Sequence, residues 1–403
     1  MAEAAKRGLA AIPRGVWVLG IVSLCMDVSS ELIHSLLPLY LSIGLGASAL
    51  TIGVIEGIAE ATALIVKVFS GVLSDLFRKR KPLVVLGYGL AAVTKLAFPL
   101  APTIGWIVGA RFADRVGKGI RGAPRDALIA DLTPDAVRGA SFGLRQALDT
   151  VGAVAGPLLA IFAMAAFAGQ FKAAFWVAIV PAFLAVALLI GGVDEPERTD
   201  GKTKANDRKL QLADVKRLGA TYSMVVAIAA VLTLARFSEA FLVLRENDVG
   251  LAPGQAPWVM VAMSLIYALS AYPAGAAADR GQGPRLLSAG MLALIAADAV
   301  LAYASSAAAV IAGAGLWGLH MGLTQGLLAA LVAGAAPADL RGTAFGVFNL
   351  VCGIALLAAS VLAGWLWNAV GPAATFYAGA GFTAMAWAAY MIYGRKAAAL
   401  PGT

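Results

Sequence analysis

Apolar runs of about 20 residues, the length a helix needs to cross the hydrocarbon layer of a membrane, recur along almost the whole chain. Short polar, glycine- or proline-marked breaks separate them. The pattern predicts spans near 15–41, 51–76, 82–101, 104–131, 139–166 and 172–192. A second set is predicted near 219–245, 255–277, 285–304, 307–334, 342–368 and 372–394. Between the sets runs a long polar stretch from Asp194 to Arg217, with Glu195, Glu197, Arg198, Lys202, Lys204, Arg208 and Lys209, which reads as a solvated linker. The expected fold class is all-α integral membrane, with twelve transmembrane helices as two pseudo-symmetric six-helix bundles. Residues 1–192 form one bundle, 193–218 a cytoplasmic linker and 219–403 the other.

Composition supports lipid as the solvent. Of 403 residues, 60% are hydrophobic and 13% charged, about half the charge a soluble surface carries. The net charge of +8 is dispersed among apolar stretches, which excludes a nucleic-acid footprint and fits topology instead. Basic residues gather in alternate loops: Lys6, Arg7 and Arg14; Arg78, Lys79, Arg80 and Lys81; Arg138; the linker; Arg280 and Arg285; Arg341; Arg395 and Lys396. Lys172 and Arg245 are the exceptions. By the positive-inside rule both termini and the linker are cytoplasmic, in a bacterial-type inner membrane. The first apolar run shows no cleavable signal-peptide pattern. Cys25 and Cys352 sit apart in apolar runs and indicate neither a disulfide framework nor a zinc site.

The two sets of spans match one another at a nearly constant offset. Gly71 and Asp75 find counterparts in Gly275 and Asp279. Pro134, Arg138, Gly139, Phe142 and Gly143 align with Pro337, Arg341, Gly342, Phe345 and Gly346. A duplicated six-helix unit follows, with a substrate cavity expected between the halves.

On these residues the chain resembles the major facilitator superfamily over essentially its whole length. Gly71-x-x-x-Asp75-x-x-Arg78-x-Arg80 is similar to the family's cytoplasmic loop signature, repeated as Gly275-x-x-x-Asp279-Arg280. Leu76 stands where an arginine is usual. The resemblance implies a conformational latch at Gly71, Asp75, Arg78, Arg80, Gly275, Asp279 and Arg280. The run Gly143, Gly152, Gly156-Pro157 is similar to the antiporter motif, although Ala160-Ile161 replaces its closing glycine pair; this implies export. The same glycines also serve simply as close-packing surfaces. Arg111 matches the family's intramembrane arginine, while Arg115 replaces the glycine that usually follows it. The resemblance implies alternating access by a monomer that needs no cofactor, with a proton gradient as energy source and a small molecule as cargo.

The fourth predicted span carries Arg111, Asp114, Arg115, Lys118, Arg121, Arg125 and Asp126 within an arc of roughly 140°. Such charges cannot face lipid; they line water or meet counter-charges. Arg121, Arg125 and Asp126 also suit structural pairs near the cytoplasmic interface. In the first span Asp27, Glu31 and His34 share a face, and in the second Glu56, Glu60 and Lys67. Asp27 and Glu31 are expected at the depth of Arg111 and Arg115, which makes them the leading proton carriers with Arg111 as switchable partner. Asp149, a turn after Arg145, is a further candidate. Cavity candidates are His34, Glu56, Glu60, Arg115, Lys118, the expected pair Arg236 and Glu239, His320 and Gln325. Asp298 is an isolated polar residue in an apolar run.

The leading reading is proton-coupled export of a small drug-like or organic molecule. The oxygen donors of Asp27, Glu31, Glu56 and Glu60 with His34 leave open a divalent-metal cargo, and the basic stripe an anion or iron chelate, with import as an open direction. No phosphate-cradling loop, nucleophile–base pair or His-Glu-x-x-His run is present, which argues against ATP-driven transport and against an intramembrane enzyme.

Overall fold

The computed structural model describes residues 11–77, 79–134, 137–195, 217–337 and 340–394, with 72, 73, 75–77 and 394 described by their backbone alone. The elements are helices: α1 (Arg14–Leu39, continued by a widened turn Tyr40–Gly44), α2 (Ala49–Phe77), α3 (Lys81–Lys95, continued by Ala97–Leu100), α4 (Ile104–Leu132), α5 (Arg138–Ala166) and α6 (Phe171–Gly192). Then follow α7a (Gly219–Ala235), α7b (Ala240–Asp248), α8 (Trp258–Ala277), α9 (Gly283–Tyr303), α10 (Ala307–Ala335), α11 (Arg341–Ala369) and α12 (Pro372–Ala389, continued by Tyr390–Gly394). Among the described residues nine stretches are long and apolar enough to span a membrane, and one of them, Trp258–Tyr303, holds both α8 and α9. The α4 helix is as long as its neighbours but stands outside that set, because its charged stripe lowers its apolarity.

The duplication is visible in the helices themselves. The α4 and α10 helices are 29 residues each and start at 104 and 307; α5 and α11 are also 29 each and start at 138 and 341. The spacing is 203 in both cases. Each of the first pair starts on a hydroxyl cap: Thr103 Oγ1 accepts from Trp106 N at 3.3 Å and Ser306 Oγ from Ala309 N at 3.4 Å. Proline occupies the first turn of α3, α9 and α12, where its missing N–H is free of consequence.

The chain divides into two compact units, Met1–Leu37 with Thr62–Asp207, and Pro38–Ala61 with Arg208–Thr403. The expected boundary lay wholly in the linker, yet residues 38–61 group with the second unit. Close backbone approach explains it: a methyl at Gly57 would lie 3.2 Å from Leu357 Cα, one at Gly364 2.7 Å from Leu50 Cα, and Gly53 touches the Ser360 carbonyl. In the first unit α3 packs on α4 and α6; in the second α9 packs on α10 and α12. The first unit's core joins Val16, Leu19 and Met26 to Tyr88, Leu128 and Leu189. The second unit's joins Tyr222 and Val225 to Val332 and Ala344. Large apolar side chains such as Phe162, Val180 and Val370 are about 70% exposed (68%, 71% and 71%), which suits a surface solvated by lipid.

One predicted helix is broken. The span near 219–245 stops at Ala235 and resumes at Ala240, and Arg236 has φ −100° and ψ 56°. Ser360 Oγ accepts the Ser238 amide at 3.1 Å and Ser238 Oγ accepts that of Ala240 at 3.2 Å, so side chains satisfy backbone groups that the helix would have paired.

Candidate functional site

Of the charged stripe of α4, Arg111, Asp114, Arg115 and Arg121 are buried in the first unit, Arg125 and Asp126 are partly buried and Lys118 is exposed. Glycines set how close the neighbours of α4 come: a methyl at Gly117 would lie 2.7 Å from the Gly87 carbonyl on α3, and one at Gly119 3.0 Å from the Ala63 carbonyl on α2. Without a hydrophobic drive between helices in lipid, such backbone contact holds them together.

At one end, Asp114 gathers three cations. Lys95 Nζ on α3 donates to its Oδ1 at 2.8 Å and to Ser30 Oγ at 3.1 Å. Arg111 Nη1 and Arg115 Nε lie 4.0 and 3.9 Å from Asp114 Oδ2, all with side chains at most 3% exposed. A buried carboxylate with this company stays ionised, and removing one partner is costly.

Toward the middle sit the acids of α1. His34 Nδ1 lies 3.3 Å from Glu31 Oε2, and the charges of Lys118 and Arg115 act on Glu31. Asp27 lies within the fields of Asp149, Arg121, Lys118 and Glu31. The α5 helix closes on both acids: a methyl at Gly152 would sit 2.9 Å from Asp27 Cβ, and one at Gly156 2.7 Å from Glu31 Cβ.

At the other end, Arg121 lies over the Tyr88 ring, 4.6 Å from its centroid. Tyr88 Oη and Ser23 Oγ share a hydrogen bond of 3.0 Å, and Arg125 Nη1 donates to both, at 3.5 and 3.0 Å. Arg125 pairs with Asp126 at 3.2 Å, Arg145 with Asp126 at 3.7 Å, and Arg145 with Asp149 at 2.8 Å. Charges from α1, α3, α4 and α5 thus alternate along the stripe.

The expected residues fall as follows. Arg111 contacts Asp114 on its own helix, and Lys118, Arg115 and Arg121 are among the cations whose charges act on Asp27 and Glu31. Glu56 and Glu60 belong to the stretch that groups with the second unit. Among the described residues no three His, Cys, Asp or Glu side chains converge as a metal-binding set. Arg236 and Glu239 share no helix face, since the break runs between them. The His320 ring is fully buried with Nδ1 2.9 Å from the Gly290 carbonyl, a packing tie between α10 and α9. Gln325 is half-buried on α10. Cys25 and Cys352 are free and buried.

Of the latch residues, Arg78 and the Asp75 side chain lie outside the described residues. Gly71 stands against α4, where its methyl would be 3.5 Å from Ala123 Cβ. Arg80 Nε pairs with Asp131 at 3.1 Å. Glu195, read as linker, accepts the amides of Arg80 and Lys81 at 2.8 and 2.7 Å and so caps α3. In the second copy Gly275 ends α8, and Asp279 and Arg280 are exposed or partly so beside Gly281, a left-handed turn with φ 81°. Of the antiporter-like run, Gly152, Gly156 and Pro157 are buried, while Gly143 is exposed with nothing within 4 Å of a methyl placed there.

Sequence reasoning passed over Lys95 as a partner and Asp114 as the hub; a lone lysine in an apolar span was the available signal. It also read Arg245 as a loop residue. Its guanidinium donates to the carbonyls of Leu301 at 3.0 Å and Ala304 at 2.6 Å and pairs with Asp248, closing the C-terminus of α9.

The family model of the Major Facilitator Superfamily matches the chain twice, over residues 19–244 and 226–402, one match for each half of the duplication. An MFS-type transporter of Methanocaldococcus jannaschii, MJ1317, is 31% identical over 376 residues, covering 91% of this chain and 92% of that protein. The inner membrane transport protein YajR of Escherichia coli is 25% identical over 381 residues, covering 91% and 80%. Among solved structures, a POT family transporter in complex with 5-aminolevulinic acid superposes with a TM-score of 0.77 at 14% identity, over 96% and 97% of the two chains. The nucleoside transporter NupG gives 0.75 at 14%, over 95% and 100%. The chain belongs to the major facilitator superfamily, as a multi-pass membrane transporter and not an enzyme.

Proposed function

We propose that the chain couples inward proton flow to export of a small organic molecule by alternating access, with Asp27 and Glu31 as the proton carriers. The observation that carries this reading is the seam between α5 and α1. Gly152 and Gly156 bring backbone against the Cβ atoms of these two acids, beneath the charges of Lys118, Arg115 and Arg121. Any movement of α5 away from α1 changes the solvation and charge environment of both carboxyls together, which is what coupling requires. The alternation of basic loops supports cytoplasmic termini in an inner membrane. The test uses the full chain in liposomes loaded with a pH-sensitive dye. A proton gradient is imposed, and tetraphenylphosphonium, benzoate or succinate is added in turn. Proton flux evoked by one of them and lost in Glu31→Gln and Asp27→Asn supports the reading. Flux unchanged in both variants refutes it.

One observation favours an anionic cargo over a cationic one. Lys67 and Lys118 are exposed at mid-helix, and neither has a carboxylate within 4.0 Å among the described residues. Lys67 lies along α4, its Cε 3.6 Å from a methyl placed at Gly122, and the charges of Asp126, Arg125, Arg145 and Lys118 act on it in that order. Two exposed ammonium groups in a span, neither closed in an ion pair, must face water, and together they attract a carboxylate or phosphate group. In the same assay this reading expects response to benzoate or succinate that falls in Lys67→Met and Lys118→Met; response to tetraphenylphosphonium alone excludes it.

A further inference from the structure

The two units share one register at α3 and α9. Gly87 on α3 packs against Gly117 on α4, and Gly290 on α9 meets His320 on α10; both members of the first pair are 203 positions before those of the second. In that register Lys95 of α3 corresponds to Asp298 of α9, each an ionisable side chain buried to within 1%.

Their surroundings diverge. Lys95 reaches Asp114 and Ser30. The residue at the position equivalent to Asp114 is Trp317, whose ring packs on Phe237 at 5.2 Å. Asp298 is 0% exposed, and neither carboxyl oxygen meets a hydrogen-bond partner among the described residues. It faces Gly379 on α12, where a methyl would lie 2.7 Å from Oδ2 and 3.1 Å from the Phe237 ring. The titratable groups on the surrounding elements are engaged elsewhere or out of reach. The His320 ring is tied to Gly290, about two turns along α9. Arg245 holds the carbonyls of Leu301 and Ala304, and Tyr377 of α12 packs on Tyr303 at 5.7 Å. Arg236, at the break after α7a, lies beyond the 4.0 Å of an ion pair with Asp298.

We propose that Asp298 is a second proton-binding site of this chain, in the second unit, which holds its proton in this conformation and exchanges it when α9 and α12 part. An ionised carboxylate without partners is not tolerated in an apolar interior, whereas a neutral carboxyl is. The bare Cα of Gly379 leaves room for the hydroxyl, and aromatic rings exclude water from it. On opening, the carboxyl O–H bond breaks, water takes the proton as hydronium, and the carboxylate left behind is hydrated; closing reverses each step. The site does not depend on Asp27 or Glu31.

The test is infrared difference spectroscopy on the purified full chain. Wild type minus Asp298→Asn is expected to show the carbonyl stretch of a protonated carboxylic acid at neutral pH. That band should persist in Glu31→Gln, change position in Gly379→Ala, and move downward in heavy water as deuterium replaces the proton. Should Asp298→Asn fail to fold, the wild type minus Gly379→Ala difference reads the same band. Carboxylate bands in place of the carbonyl stretch overturn the proposal. So does a carbonyl band that heavy water never moves, since a proton that cannot leave serves no exchange.

Discussion

Adding one methyl at Gly156 tests the seam on which coupling is placed. In Gly156→Ala the new Cβ would stand 2.7 Å from Glu31 Cβ, 2.8 Å from the Val28 carbonyl and 3.0 Å from the Leu32 amide. Carbon atoms in contact sit about 3.5–4.0 Å apart, so α5 must retreat from α1 by roughly 1 Å or both helices must bend. Two of the three atoms are backbone and cannot swing aside. Overpacking of this kind costs about 1–3 kcal/mol, against which alanine recovers up to about 1 kcal/mol of helix propensity. A net loss on the order of 1–2 kcal/mol follows. The control lies on the same helix: Gly143 is exposed with nothing within 4 Å of its added methyl, so Gly143→Ala should match wild type or slightly exceed it.

The assay heats each protein in detergent and measures the fraction that remains monodisperse, then follows the dye signal in liposomes. Gly156→Ala should lose protein at a lower temperature and pass protons more slowly, because a widened seam changes the setting of Glu31 in every conformation. Gly152→Ala, whose methyl would stand 2.9 Å from both Asp27 Cβ and the Leu24 carbonyl, should behave alike. If Gly156→Ala survives heating as wild type does while Gly143→Ala is damaged, α5 does not meet α1 along this face and the coupling argument fails with it.

Other consequences are independent of that seam. Lys95→Met leaves Asp114 with arginines at 3.9 and 4.0 Å only. It should cost about 3–5 kcal/mol, while Lys95→Met with Asp114→Asn should cost less than the two singles added, as a double-mutant cycle on thermal survival would read. Tyr88→Phe keeps the ring under Arg121 but loses the hydrogen bonds to Ser23 and Arg125, for roughly 1 kcal/mol; Tyr88→Leu should lose about that again by removing the ring, measured the same way. Arg245→Lys substitutes a point charge for a fork that spans two carbonyls and Asp248. It should loosen the end of α9 by about 1–3 kcal/mol, seen as faster amide exchange over residues 299–304.

Helix boundaries were legible because proline, glycine and capping residues punctuate the chain. The span expected near 104–131 runs Ile104–Leu132, between a threonine cap and Thr133. The break after Ala235 was not legible. Residues Arg236 to Glu239 contain no helix breaker, and the break is fixed by Ser360, more than a hundred positions away. The shared helix face expected from the spacing of Arg236 and Glu239 is lost for the same reason, although the Glu239 charge still acts on Arg236 across the break. The α4 stripe was legible as a periodic face, yet its chief partner was not. Lys95 sits among apolar residues, and nothing local names Asp114. Glu195 read as linker because it follows the last apolar run, although its carboxylate caps α3. Spacing reveals which residues share a face; which face they meet is a tertiary fact.

The duplication sharpens what the charges mean. The α4 and α10 helices have one length, one kind of cap and one register. At the positions of Arg111, Asp114, Arg115, Lys118, Arg121, Arg125 and Asp126, the second copy has Ala314, Trp317, Gly318, Met321, Thr324, Leu328 and Ala329. The second unit thus pairs α9 with α10 and α12 without these charges, as the first pairs α3 with α4 and α6. Buried ion pairs add little stability over apolar packing, so stability does not explain their presence in one copy. Under the proposed coupling, the unit that carries them is the one in which charge moves during transport. The apolar α10 leaves Asp298, a buried acid that faces α12, without a charged stripe to balance it.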